Sequence, residues 1–270
     1  MKNILKNTFA FLAATLLLVS CNSDDDNIIT NINGNGNLNV EFDNSYAGND
    51  LVFNAPNQTS NAETLKISNV KYIISNIVLT DENGATFAYP KNESYFIVNE
   101  SDAASLFLNL KNIPAGNYTK IKFGIGVDQA QWELGADGQG NFLAHADAED
   151  MIWSWSAGYK FLAFEGKFTS ASVTSETDFM VHTGKTGTNY NYTEVTLDLP
   201  SGQKALVRTE ITPEIHIVAD LSKIIDGTNK IKLSDNNSGG MGAMIMGGEN
   251  LTLITQNLNA MFTVAHVHND

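Results

Sequence analysis

Cysteine is all but missing from this chain of 270 residues. Cys21 stands alone, so no disulfide can form within the chain and stability has to come from core burial. Hydrolytic signatures are missing as well: there is no Gly-x-Ser-x-Gly elbow, no His-Glu-x-x-His helix and no phosphate loop. Positive charge is in short supply, with 16 Lys and Arg against 30 Asp and Glu. The resulting net charge of −14 repels phosphate backbones, which argues against nucleic acid as a partner. Neither a long amphipathic helix nor a βαβ rhythm can be read anywhere. The apolar run from Phe9 to Val19 is too short to span a bilayer as a stable helix.

That run belongs to an export signal over residues 1–20, with Lys2 and Lys6 as its basic region and Leu18-Val-Ser-Cys21 as its processing site. A lone cysteine directly after Leu-Val-Ser resembles a bacterial lipobox. The resemblance implies cleavage before Cys21, acylation of its thiol and a membrane-tethered mature protein. An acidic tract, Asn22-Ser-Asp-Asp-Asp-Asn27, resembles the surface-export signals of Bacteroidota lipoproteins, which implies the outer face of the outer membrane. Residues 21–37 read as an acidic, Asn/Gly-rich tether, and 38–270 as one domain.

From Leu38 onward the chain reads as strands and turns. Leu38-Asn-Val-Glu-Phe42 alternates, Asp81-Glu-Asn-Gly84 is a hairpin-type turn, and Ile121, Phe123, Ile125 and Val127 share a face opposite Lys120 and Lys122. In Glu210 to Ala219, Ile211, Ile215 and Ile217 form the inward set and His216 points away. Residues 128–149 are too long for a hairpin connection and read as a functional loop. Leu221 to Gly227 has room for one helical turn, Ser238 to Gly248 is a glycine-methionine loop, and Ala260 to Val267 is a closing strand. Many short strands bounded by turns predict an all-β fold, a single antiparallel β-sandwich of Greek-key or immunoglobulin-like type with long loops.

The available chemistry rests on five histidines, the methionines and scattered carboxylates. His266-Val-His268 puts two imidazoles on one side of a strand, as a soft-metal clamp requires; a polar tail would read the same way. His145 and His182 are each isolated. Met241, Met244 and Met246 offer thioethers that favour Cu(I), or equally a hydrophobic loop tip. The most concentrated stretch runs from His145 to Gly166. It holds an acidic cluster, Trp153 and Trp155 on one face of an extended segment, and then Tyr159, Phe161 and Phe164, which read as sandwich packing.

These segments resemble one family. Lys71-Tyr-Ile-Ile-Ser-Asn-Ile77, Phe123-Gly-Ile-Gly-Val-Asp128, Met151-Ile-Trp-Ser-Trp-Ser-Ala-Gly-Tyr-Lys-Phe161 with Glu165-Gly166, and His182-Thr-Gly184 are similar, in order, to the MbnP-like copper-binding proteins (the methanobactin-associated MbnP type) in a Bacteroidota lipoprotein form. The resemblance implies a copper-binding β-sandwich that is not an enzyme. It also implies a di-haem cytochrome c peroxidase-like partner that oxidises a tryptophan to kynurenine. Copper ligands carried over by position are His145, His182 and modified Trp153, with Trp155 as the competing site of modification. The function expected is copper acquisition or buffering at the cell surface. Against it stand a structural or interaction module without metal and a carbohydrate-binding sandwich stacking sugars on Trp132, Trp153 and Trp155.

Overall fold

The computed structural model describes residues 32–154 and 157–270; the segment read as an export signal, Cys21, most of the segment read as a tether, and Trp155 lie outside them. Strands in chain order are β1 (Asn35–Tyr46), β2 (Asn49–Asp50), β3 (Pro56–Gln58), β4 (Thr64–Asp81), β5 (Thr86–Ala88), β6 (Tyr95–Asn99), β7 (Phe107–Pro114), β8 (Gly116–Ile125) and β9 (Ile152–Ser154). They continue as β10 (Gly158–Thr169), β11 (Thr177–Thr186), β12 (Asn189–Tyr190), β13 (Thr193–Asp198), β14 (Ala205–Val207), β15 (Glu214–Asp220), β16 (Ala243–Ile245) and β17 (Phe262–His268). Short helices interrupt them: α1 (Gln129–Trp132), α2 (Asn141–Ala148), α3 (Lys223–Asp226) and α4 (Glu249–Asn257). β1 starts at Asn35, so the last residues read as tether are already strand.

Two sheets face each other, which is the expected all-β sandwich. The smaller runs β17-β15-β1-β2, with β7 also on β1; the larger follows β12-β11-β10-β4-β8-β13, with short strands added at β4, β8, β10 and β11. Most neighbours are antiparallel, but β1 pairs with β15, and β11 with β16, in parallel. Alternation decides which side chains enter the core. Leu38, Val40 and Phe42 of β1 and Ile215 and Ile217 of β15 are fully buried, while Asn39, Glu41, Asp43 and His216 face outward. Phe42 bridges the sheets, with its ring edge-on to Tyr72, Phe123 and Phe262 at 5.7–6.1 Å.

A second apolar cluster lies on the outer side of the larger sheet, formed by Ile73, Ile97, Val127, Ala146, Met151, Tyr159, Phe161 and Ala163. Strand β10 is therefore buried on both faces, with Leu162 and Phe164 entering the sandwich. This corrects the reading of Tyr159 and Phe161 as sandwich packing: they point the other way, beneath residues 128–152. Those residues are also not an irregular loop. Asp128 caps α1 by accepting the Gln131 N–H at 3.1 Å, and the alanine-rich α2 buries Ala146. Together they cap the sheet. At Gly126, whose φ is +103°, the Phe161 ring lies where a Cβ would sit, 2.3 Å from its Cγ.

Candidate metal centre

β9 and β10 form a narrow antiparallel pair in which Ser154 faces Gly158 and Ile152 faces Tyr159. This brings Trp153 over β11. Its ring crosses Gly184, where a Cβ would approach the indole to 2.8 Å. Glycine at that position lets the indole lie directly on the strand. Two residues earlier, His182 pairs with Ala163 and is buried to 4% exposure. The rings of Trp153 and His182 are 6.3 Å apart and inclined at 47°.

His182 Nε2 lies 2.6 Å from Glu165 Oε1. That hydrogen bond is the main reason the Glu165 carboxyl is held below its ordinary range, with smaller help from Asn69 and Lys160 against the opposing effect of burial. An ionised Glu165 is acceptor-only, so His182 Nε2 carries the proton and donates. In the neutral ring Nδ1 is then a lone pair, and this buried atom has no hydrogen-bond partner among the described residues. A carboxylate that fixes the imidazole tautomer and leaves the second nitrogen free is the arrangement in which histidine binds metal. Glu165 was visible in the sequence, but nothing there marked its role, because its pairing with His182 runs across strands. Lys160, only 6% exposed, lies 3.0 Å from Asp150 at the same end of β10.

His145 stands elsewhere on α2. The helix presents Leu143, Ala144 and Asp147 to a cavity of about 450 Å³ that Ile152, Trp153 and Ser154 complete. His145 is exposed, and its ring contact is with Phe142, at 6.3 Å. The structure thus brings Trp153 and His182 together and sets His145 on a neighbouring face. Among the described residues, no three His, Cys, Asp or Glu side chains converge as a ready-made metal group. An orphaned, buried His182 Nδ1 beside an oxidisable indole nevertheless fits copper, which favours imidazole nitrogen.

The remaining predicted residues fall into separate places. His266 and His268 lie on β17, with His266 opposite His216 of β15. In the glycine-methionine loop a short strand, β16, joins β11, while Met241 and Met244 remain exposed. Trp132 carries Lys185 Nζ over its ring at 4.7 Å and Tyr190 alongside, so it is no open platform for a sugar.

A family model, MbnP, matches residues 35–246, most of the chain. The chain belongs to the MbnP family. Membership suggests a methanobactin-associated, copper-related protein. MbnP from Methylosinus trichosporium is a similar solved structure, with a TM-score of 0.49 and 15% identity over 78% of this chain and 81% of that chain. No curated protein matches.

Proposed function

We propose that this MbnP-family chain is an outer-membrane lipoprotein, anchored through Cys21 and exposed at the cell surface, that binds copper for acquisition or buffering. It is a carrier, not an enzyme. His182 Nδ1 and the oxidised product of Trp153 supply the principal ligands, with His145 the further ligand that a turn of α2 would bring in. One observation carries the reading: a buried imidazole nitrogen with no partner among the described residues stands beside a tryptophan whose ring lies over Gly184.

Trp153 as it stands offers copper little, because the indole N–H is a donor without an acceptor lone pair. Conversion to kynurenine changes that. Peroxide, delivered through a di-haem cytochrome c peroxidase-like partner, adds an oxygen atom to each of indole C2 and C3 and breaks the bond between them. Two peroxide molecules are reduced to water in the process. Hydrolysis then releases formate and leaves an aryl amine whose lone pair can bind. Trp155, outside the described residues, is the competing substrate. When bound, copper would draw on two or three nitrogen donors, consistent with its ligand preference.

Peptide mass spectrometry of protein from its native host should find kynurenine at position 153 or 155; two unmodified tryptophans would overturn the modification. In copper titrations, His182→Ala should weaken binding by on the order of a hundredfold and His145→Ala by less. Equal affinity in wild type and both variants would remove these histidines as ligands.

A further inference from the structure

Three of the chain's five histidines meet on the outward face of the smaller sheet, far in sequence from Trp153. β15 and β17 run antiparallel with His216 directly opposite His266, and strand alternation turns His268 to the same side. The His216 and His266 rings are 4.6 Å apart, as are those of His266 and His268. On the other flank β1 aligns Glu41 with His216. Glu41 Oε2 lies 3.6 Å from His216 Nδ1, and Asp43 Oδ2 lies 3.4 Å from His216 Nε2.

Carboxylates flank both nitrogens of His216, Asp43 at Nε2 and Glu41 at Nδ1, and Nε2 makes no hydrogen bond among the described residues. With the proton on Nε2, toward the nearer carboxylate, the Nδ1 lone pair is left for a ligand. That Nδ1 points at His266 Nε2, 3.2 Å away. Two nitrogens bound at about 2.0–2.1 Å to one tetrahedral ion stand about 3.3 Å apart. The separation suits a shared ion as well as it suits a hydrogen bond. The register of β15 against β17 shifts between His216 and Ile217, with Ala265 the extra residue on β17, an irregularity of the kind found where side chains are re-aimed.

We infer that His216, His266 and His268 form a second metal site, for one divalent ion of the zinc(II) or copper(II) kind. His216 Nδ1 and His266 Nε2 bind first. His268, exposed at the end of β17, rotates in as third ligand, which is why the donors do not converge as they stand. Glu41 closes the fourth position and Asp43 holds the His216 tautomer. Imidazoles with one carboxylate select late first-row ions over calcium or magnesium. The ion staples the edge strand β17 to β15 and β1. The site is independent of the copper reading at Trp153 and His182.

The test is zinc(II) titration of the metal-free full chain by calorimetry, with copper(II) electron paramagnetic resonance as a second readout. Wild type is compared with His216→Ala, with His266→Ala combined with His268→Ala, and with His182→Ala. One equivalent of zinc should lose at least tenfold in affinity in the first two and keep its affinity in the third, and copper(II) should show nitrogen hyperfine structure in His182→Ala that is lost when either cluster substitution is added to it. His216→Gln replaces the alanine variant should that fail to fold. In wild type, zinc should shift the ring-proton resonances of the three histidines. Zinc binding unchanged in both cluster variants, with no such shifts, would overturn the site and leave the Trp153 reading untouched; lost copper binding in His182→Ala bears only on that reading.

Discussion

At the scale of single residues, the molecule repeats one device. A carboxylate on a neighbouring strand stands beside one nitrogen of each imidazole: Glu165 accepts the N–H of His182, while Asp43 lies 3.4 Å from His216 Nε2 without closing a hydrogen bond. The effect on a bound metal is larger than the ion-pair energy suggests, because the carboxylate also raises the basicity of the ligand. Glu165→Gln should therefore weaken copper binding by on the order of ten- to a hundredfold. Far-UV circular dichroism should stay close to wild type. Unchanged copper affinity would mean that Glu165 only neutralises its surroundings. The lone histidines were visible in the sequence, and so was the outward direction of His216. Their partners were not, because His216 and His266 are 50 residues apart and only the pairing of β15 with β17 makes them neighbours.

At the scale of elements, the cap of residues 128–152 is moored by side chains as well as by its apolar contacts. Asp128 is the first mooring. Burial would raise its carboxyl, but donors from Asn76, Lys91, the Gln131 N–H and Tyr95 win and hold it below its ordinary 3.8. Asn76 reaches it from a bulge in β4, in a left-handed conformation (φ +51°) that asparagine tolerates. Glu149 is the second, held low chiefly by its hydrogen bond from Lys71. Carboxylates depressed in the folded state stabilise it above their unfolded pKa, and that stability is lost as pH falls through the folded values. The cap should thus loosen below about pH 4, before the sandwich unfolds. Tryptophan fluorescence, with Trp132 and Trp153 both in this region, should move ahead of the far-UV signal. Asp128→Asn should remove much of that early step, and a single coincident transition in both proteins would refute it.

The cap also shows where sequence patterning stops being informative. Alternation announced β1, β8 and β15 because each has one wet face. Residues 128–149 are small, polar and acidic, and their two short helices carry few apolar positions, of which Ala146 is the fully buried one. The nine-residue α4 escaped notice for a similar reason, with only Leu251, Ile254 and Asn257 buried. A strand buried on both faces, as β10 is, reads as a plain aromatic run and does not say which ring goes to which side.

For the whole molecule, stability rests on the contact between the sheets, since the surface ion pairs such as Lys167 with Asp178 are exposed and contribute little. Phe42 is the central bridge. Phe42→Ala should cost about 3–5 kcal/mol in urea unfolding, from lost burial and the cavity left among Tyr72, Phe123 and Phe262. A loss below about 1 kcal/mol would mean that the neighbouring rings collapse into the space.

The parallel pairing of β1 with β15 bears on how the chain is made. Asn39 waits for Glu214 and Ser45 for Asp220, so one flank of the first strand has no ladder partner until most of the polypeptide has emerged. Until then Val40 and Phe42 belong to a sheet that cannot close. A chain emerging from its N-terminus therefore cannot complete this sheet until β15 is available, which places the closing of the smaller sheet late in folding.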